Sequence, residues 1–191
     1  MGKTVLVLLL VVFSTSEASA ACFDFPENQI PACGFETDVE INQWIITSDS
    51  TALTASPVHS GIGAAFLVSS TNLSWEEIEV ESACLTPSGS GAMGYGIYVF
   101  PVTGPVHCMA IIVAYTSAVD CSGPIVPVFG FPSEIRAGEW TLVTLGETVD
   151  IWPSAKFNLY CGSTDLIEVV VDDAFWGEGM VPVTLQTMVV E

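Results

Sequence analysis

The sequence has 191 residues, of which three are Lys or Arg (Lys3, Arg136 and Lys156) and 22 are Asp or Glu, giving a formal charge of −19. So few cations cannot build the basic patch that nucleic-acid backbones or anionic membrane surfaces require, which excludes both as partners. With 50% hydrophobic residues, 13% charged residues and a mean hydropathy of +0.58, the chain is too apolar for a disordered acidic protein and should bury a core.

The first element is an apolar run over 5–13 that follows Lys3 and leads to the small-residue triplet Ala18-Ser19-Ala20. This pattern is that of a secretory signal peptide over 1–20, cleaved near Ala20, with a single secreted domain over 21–191. Ser19 stands where a lipoprotein carries a large aliphatic residue, so Cys22 is not expected to be lipidated. Removing the leader takes away Lys3 and Glu17 together, so the charge of −19 stays with the exported chain. No later apolar run approaches the roughly 18 residues that cross a bilayer.

Beyond the leader the periodicity is that of strands, in short runs rich in Val, Ile, Thr, Phe and Trp between Gly, Pro, Ser and Asp clusters. The predicted strands cover 41–47, 64–69, 76–82, 95–102, 109–115, 125–129, 140–145, 157–161, 167–175 and 183–190. Helical spacing is nowhere sustained, and the frequent prolines suit turns. The fold expected is all-β, one antiparallel β-sandwich of jelly-roll type. The last predicted strand closes an edge or pairs with a neighbouring chain, which would allow self-association. Gly89-Ser90-Gly91-Ala92-Met93-Gly94 has the spacing of a dinucleotide fingerprint, but it precedes a strand instead of opening a helix, so it reads as a turn.

An exported chain with six cysteines is read as having three disulfides. Proximity pairs Cys22 with Cys33 and Cys108 with Cys121, which leaves Cys84 with Cys161. Zinc is not expected, because no close Cys-x-x-Cys pair exists and only His59 and His107 could add ligands.

Two segments carry a family resemblance. One is Ile30-Pro31-Ala32-Cys33-Gly34-Phe35-Glu36-Thr37, followed by Trp44 and by His59-Ser60-Gly61-Ile62-Gly63-Ala64-Ala65; the other is Val169-Val170-Val171-Asp172-Asp173-Ala174-Phe175. Their order resembles the galactose-binding-domain-like jelly rolls, in particular the secreted bacterial carbohydrate-binding modules of cellulose and xylan. The resemblance implies a structural calcium ion at Glu36 and one or both of Asp172 and Asp173, with carbonyls of the 61–63 turn as further ligands. First and last strands commonly adjoin in a jelly roll, and carboxylates brought together there call for a cation. The alternative is that these acids cap turns or face water.

Sugar recognition needs aromatic faces with a few polar groups to orient hydroxyls. Trp44 and Trp140 lie in alternating apolar runs and read as core, whereas Trp152 sits in a loop context and is the first candidate platform. Trp75 and Tyr98 follow it. His59 reads as a turn residue before Gly61. The run Trp75-Glu76-Glu77-Ile78-Glu79-Val80-Glu81 resembles the acidic strand of laminarinase-type jelly-roll glycosidases, with Glu77 and Glu81 as the alternative catalytic pair and Glu79 departing from the Asp of that pattern. A solvated acidic strand face is the simpler account. The function expected is therefore a secreted, non-catalytic module that binds polysaccharide or glycan, with calcium bound. A self-associating matrix or surface protein without a sugar site is the alternative.

Overall fold

The computed structural model describes residues 28–70, 78–88, 92–148 and 152–178. The leader over 1–20, Cys22, Trp75, Glu77 and the predicted strand over 183–190 lie outside the described residues.

The described residues begin with a segment held against the last described strand. Gln29 N–H donates to the Trp176 carbonyl at 2.8 Å and Ala174 N–H donates to the Cys33 carbonyl at 2.8 Å. A one-turn helix, α1 (Asp38–Ile41), follows. It occupies ground expected to be strand because Thr37 and Glu40 form a cap at helix spacing: the Thr37 hydroxyl accepts from Glu40 N–H, and Glu40 Oε2 accepts from Glu36 N–H. The predicted strand over 41–47 accordingly shrinks to β1 (Ile45–Thr47).

Ten further strands are β2 (Ser50–Thr54), β3 (Ala64–Ser69), β4 (Ile78–Glu81), β5 (Ala92–Pro101), β6 (Val106–Tyr115), β7 (Ile125–Phe129), β8 (Ser133–Ile135), β9 (Thr141–Thr148), β10 (Ser154–Gly162) and β11 (Ile167–Glu178). Two of them, β2 and β8, differ from expectation; both are mostly exposed and lack the apolar alternation that marks a half-buried strand. The strands form two antiparallel sheets. One runs β1-β4-β10-β6-β7 with β8 also paired to β6, and the other runs β2-β3-β11-β5-β9.

Period-two alternation sends one set of side chains from each sheet into a shared core. From the six-stranded sheet these are Ile78, Val80, Cys108, Ala110, Ile112, Phe157 and Leu159; from the five-stranded sheet they are Leu67, Tyr95, Ile97, Val99, Val169, Val171 and Trp176. Rings bridge the two layers: Phe157 lies 5.0 Å from Tyr95 and 4.2 Å from Trp176 between centroids. Trp44 is core, as expected, stacked 5.0 Å from Phe35. The architecture is the expected jelly-roll sandwich.

Two expected disulfides are replaced. Cys108 bonds Cys161 and Cys84 bonds Cys121. The register decides this: β6 and β10 are neighbours and place Cys108 directly opposite Cys161, with Cα atoms 4.1 Å apart. Nearness in sequence misleads because Cys121 belongs to the loop beyond β6, which returns beside Cys84. Cys33 is also disulfide-bonded, and Cys22, the partner expected for it, lies outside the described residues.

Candidate functional site

The three expected carboxylates meet on one turn, residues 59–63. Asp172 Oδ2 accepts from the N–H groups of His59 (2.8 Å) and Ser60 (3.2 Å), while its Oδ1 accepts from Asp173 N–H at 2.8 Å. Asp173 takes the turn's side chains: the Ser60 hydroxyl at 2.9 Å and His59 Nδ1 at 2.7 Å. Glu36 Oε2 accepts from the N–H groups of Ile62 (2.7 Å) and Gly63 (2.8 Å). Asp173 has φ of 45° and sits where the β11 register shifts between Asp172 and Phe175. That irregularity is what aims two successive aspartates at the same turn. Burial, and then the neighbouring Asp173 charge, push the Asp172 carboxyl up to about 7 despite its N–H donors.

A calcium ion has a partial fit here. Glu36 Oε1 is buried without a hydrogen-bond partner, against Gly61, where a Cβ would lie 1.6 Å from that oxygen. An orphaned carboxylate oxygen in a chain with so few basic residues suits a hard cation. Each oxygen of the two aspartates, in contrast, already receives a donor from the turn or from the backbone beside it. Among the described residues no three Asp, Glu, His or Cys side chains converge as a metal-holding group. The aspartates thus anchor the turn through these hydrogen bonds, and Glu36 keeps one unpartnered oxygen.

The aromatic candidates divide differently from expectation. Tyr98 is on the outer face of β5, half-buried, with the His59 ring stacked on it at 3.6 Å and 17°. Trp140 is not core: it is half-buried beside the outer face of the five-stranded sheet, 5.4 Å from both His59 and Phe100. Its parity along the strand matches that of outward Leu142, not that of inward Val143. Trp152, the first candidate platform, instead packs half-buried against the core.

The outer face of the six-stranded sheet holds a polar assembly that no single motif announced. Lys156 Nζ donates to Glu81 Oε1 at 2.6 Å. Asn158 Nδ2 lies 3.1 Å from Glu79 Oε1, 3.4 Å from Glu81 Oε2 and 3.1 Å from the Tyr160 hydroxyl, which in turn donates to Glu79 at 2.6 Å. The pairing of β4 with β10 produces it, setting Glu81 opposite Asn158 and Glu79 opposite Tyr160. Asn158 is 1% exposed and its Oδ1 has no partner. The available signal was the alternation of Lys156, Asn158 and Tyr160 with Ala155, Phe157 and Leu159 along β10, a polar stripe opposite the acidic stripe of β4.

No family model matches the sequence, and no curated protein matches it. In backbone the chain is similar to the CBM22-1 and GH10 modules of the Clostridium thermocellum endo-1,4-beta-D-xylanase 10B, solved in complex with xylohexaose, with a TM-score of 0.59 and 15% identity over 80% of this chain. It spans 29% of that xylanase chain. The CBM22-1 xylan-binding domain of Paenibacillus barcinonensis Xyn10C matches 75% of this chain and 90% of its own length, with a TM-score of 0.57 and 12% identity. The module TmCBM61, solved with beta-1,4-galactotriose, matches over 79% of this chain and 98% of its own, at 0.54 and 17% identity. At such identities the likeness is one of fold.

Proposed function

We propose that the protein is an exported, non-catalytic carbohydrate-binding module whose glycan site is the outer face of the six-stranded sheet. The observation that carries this reading is the linked polar set Lys156, Glu81, Asn158, Glu79 and Tyr160, in which Lys156, Glu79, Glu81 and Tyr160 are half-buried at the surface of that face. A ligand hydroxyl can donate to a carboxylate oxygen of Glu79 or Glu81 and accept from Lys156 Nζ, which is the orienting chemistry a sugar needs. The fold shared with solved xylan- and galactan-oligosaccharide complexes supports the same reading. The predicted leader and the disulfides support export.

Binding is favoured over hydrolysis by how the acids are used. Retaining hydrolysis needs one ionised carboxylate free to attack and one protonated carboxyl free to donate. Here Glu81 receives Lys156 and Asn158, and Glu79 receives Asn158 and Tyr160. A calcium ion, where bound, would neutralise charge and tie the N-terminal segment to the 61–63 turn, held by Glu36 and turn carbonyls. The expected result is a melting temperature raised by calcium, with the rise absent in Glu36→Gln.

Titration of the purified secreted chain with xylo-, gluco- and β-1,4-galacto-oligosaccharides tests the function. At least one series should bind, and Lys156→Ala should weaken it by about tenfold, the effect of losing one polar contact worth about 1.4 kcal/mol. No binding across a broad glycan array, together with concentration-dependent oligomers, would favour the self-associating alternative. Release of reducing ends that is lost in Glu79→Gln would assign catalysis instead.

A further inference from the structure

We infer that the Cys84–Cys121 bridge is a thiol-exchange site: the Cys84 sulfur accepts attack by a small thiol, and opening the bridge frees the 116–124 loop from the outer face of the six-stranded sheet. The bridges between described cysteines differ in access. Cys108 and Cys161 are fully buried, whereas Cys84 is exposed and Cys121 half-buried. Exchange needs a thiolate to reach a sulfur, so of these two bridges only Cys84–Cys121 is open to attack in the folded chain.

The register puts this bridge on the outer face. Leu85 pairs with Ala155 of β10 and both pack toward the core, so Cys84, one residue earlier, comes to the outside. Cys121 is held there with φ of 55°, a left-handed backbone that a β-carbon disfavours and that release of the loop relieves. At the base of the loop Thr116 N–H donates to the Pro124 carbonyl. Beyond that base one hydroxyl supports the bridge: Ser154 Oγ accepts from Cys121 N–H at 3.0 Å and donates to the Ala118 carbonyl at 2.6 Å. Ser154 belongs by alternation to the stripe of Lys156, Asn158 and Tyr160, yet it is fully buried beneath the loop. The bridge therefore decides whether this end of the polar stripe meets solvent. With a dithiol the chemistry balances: one thiolate attacks Cys84 Sγ, the disulfide bond breaks, and Cys121 leaves as a thiolate that takes a proton from water. The second thiol then closes on the mixed disulfide and releases the Cys84 thiol. The bridge has gained two electrons and two protons, and the dithiol has become a cyclic disulfide.

The test treats the native wild-type chain with dithiothreitol, quenches with iodoacetamide at intervals and maps the alkylated peptides. Cys84 and Cys121 should be alkylated together, about tenfold or more faster than Cys108 and Cys161. Hydrogen exchange of the selectively reduced chain should rise in 116–124 and stay unchanged in β6 and β10, with a melting temperature lower by about 10 °C. The double variant Cys84→Ser, Cys121→Ser should show the same rise in exchange without any reductant. Alkylation of all four cysteines at one rate overturns the inference, because both bridges would then open only through global unfolding. Selective reduction with exchange in 116–124 unchanged also overturns it, since the loop would be held without the bridge. Loss of the sheet circular dichroism on selective reduction, or failure of the double variant to fold, makes the bridge a requirement of the fold and overturns the inference as well.

Discussion

Substituting Gly61 by Ala should be among the most damaging single-methyl changes in the molecule. Gly61 has φ of +67°, a conformation that costs an L-residue about 1–2 kcal/mol. Its Cβ would also lie 1.6 Å from Glu36 Oε1 and 2.4 Å from Cδ, so the carboxylate must leave. Leaving breaks two hydrogen bonds from Ile62 and Gly63 N–H to a charged acceptor, each worth about 1.5–3 kcal/mol. Gly61→Ala is therefore expected to cost about 4 kcal/mol or more. Urea unfolding in excess chelator measures the cost free of any bound cation. Glu36→Ala alone should cost about 3 kcal/mol, since it forfeits the same two bonds. In the double variant only the backbone penalty adds, so a coupling of about 3 kcal/mol is expected from the cycle. Costs that add to within about 0.5 kcal/mol would refute the reasoning, because the two residues would then act independently.

Stability should also depend on pH through Asp172. Its carboxyl is held near 7 in the folded chain against an ordinary 3.8, so between these values the native state keeps a proton that the unfolded state releases. The stability this group contributes is present below about pH 4 and is lost as pH rises through about 7. Melting temperatures of wild type and Asp172→Asn, recorded in chelator from pH 4 to 8, should diverge in slope over that window; parallel curves would count against a raised carboxyl. Peptide mapping without reductant should recover Cys84 joined to Cys121 and Cys108 joined to Cys161. Removing the first bridge, which spans 37 residues, should cost about 4 kcal/mol by the chain-entropy relation.

How much of the fold and of the site is legible in the sequence depends on whether a feature is local. The runs 64–69 and 125–129 match β3 and β7 to the residue, because alternation or an apolar run between turn signals is a property of consecutive positions. Trp140 was misjudged for the same reason: apolar alternation shows that a strand has two faces but not which one meets the other sheet. The disulfides depend on register between β6 and β10, which no spacing within the chain encodes. Glu36, Asp172 and Asp173 were found as a group through their order along the chain and do meet on one turn, yet the donors that occupy the aspartates come from backbone geometry. Asn158 was missed because a lone Asn in an apolar strand has no motif; its meaning arises only when β4 supplies two carboxylates opposite it.

The strand order places the two latest described strands, β10 and β11, inside their sheets, each with neighbours on both sides. Until Gly162 has emerged, β4 and β6 have no common partner, and until Glu178 has emerged the same holds for β3 and β5. The N-terminal segment, which leans on β11 through Ala174 and Trp176, waits as well. Synthesis therefore yields a chain that stays unable to fold for nearly its whole length, and folding becomes a single late event dominated by distant pairings, slow by topology. For a chain exported as proposed this delay would be useful: it would reach the translocation machinery still threadable, and the Cys108–Cys161 bridge closes only once β10 has arrived.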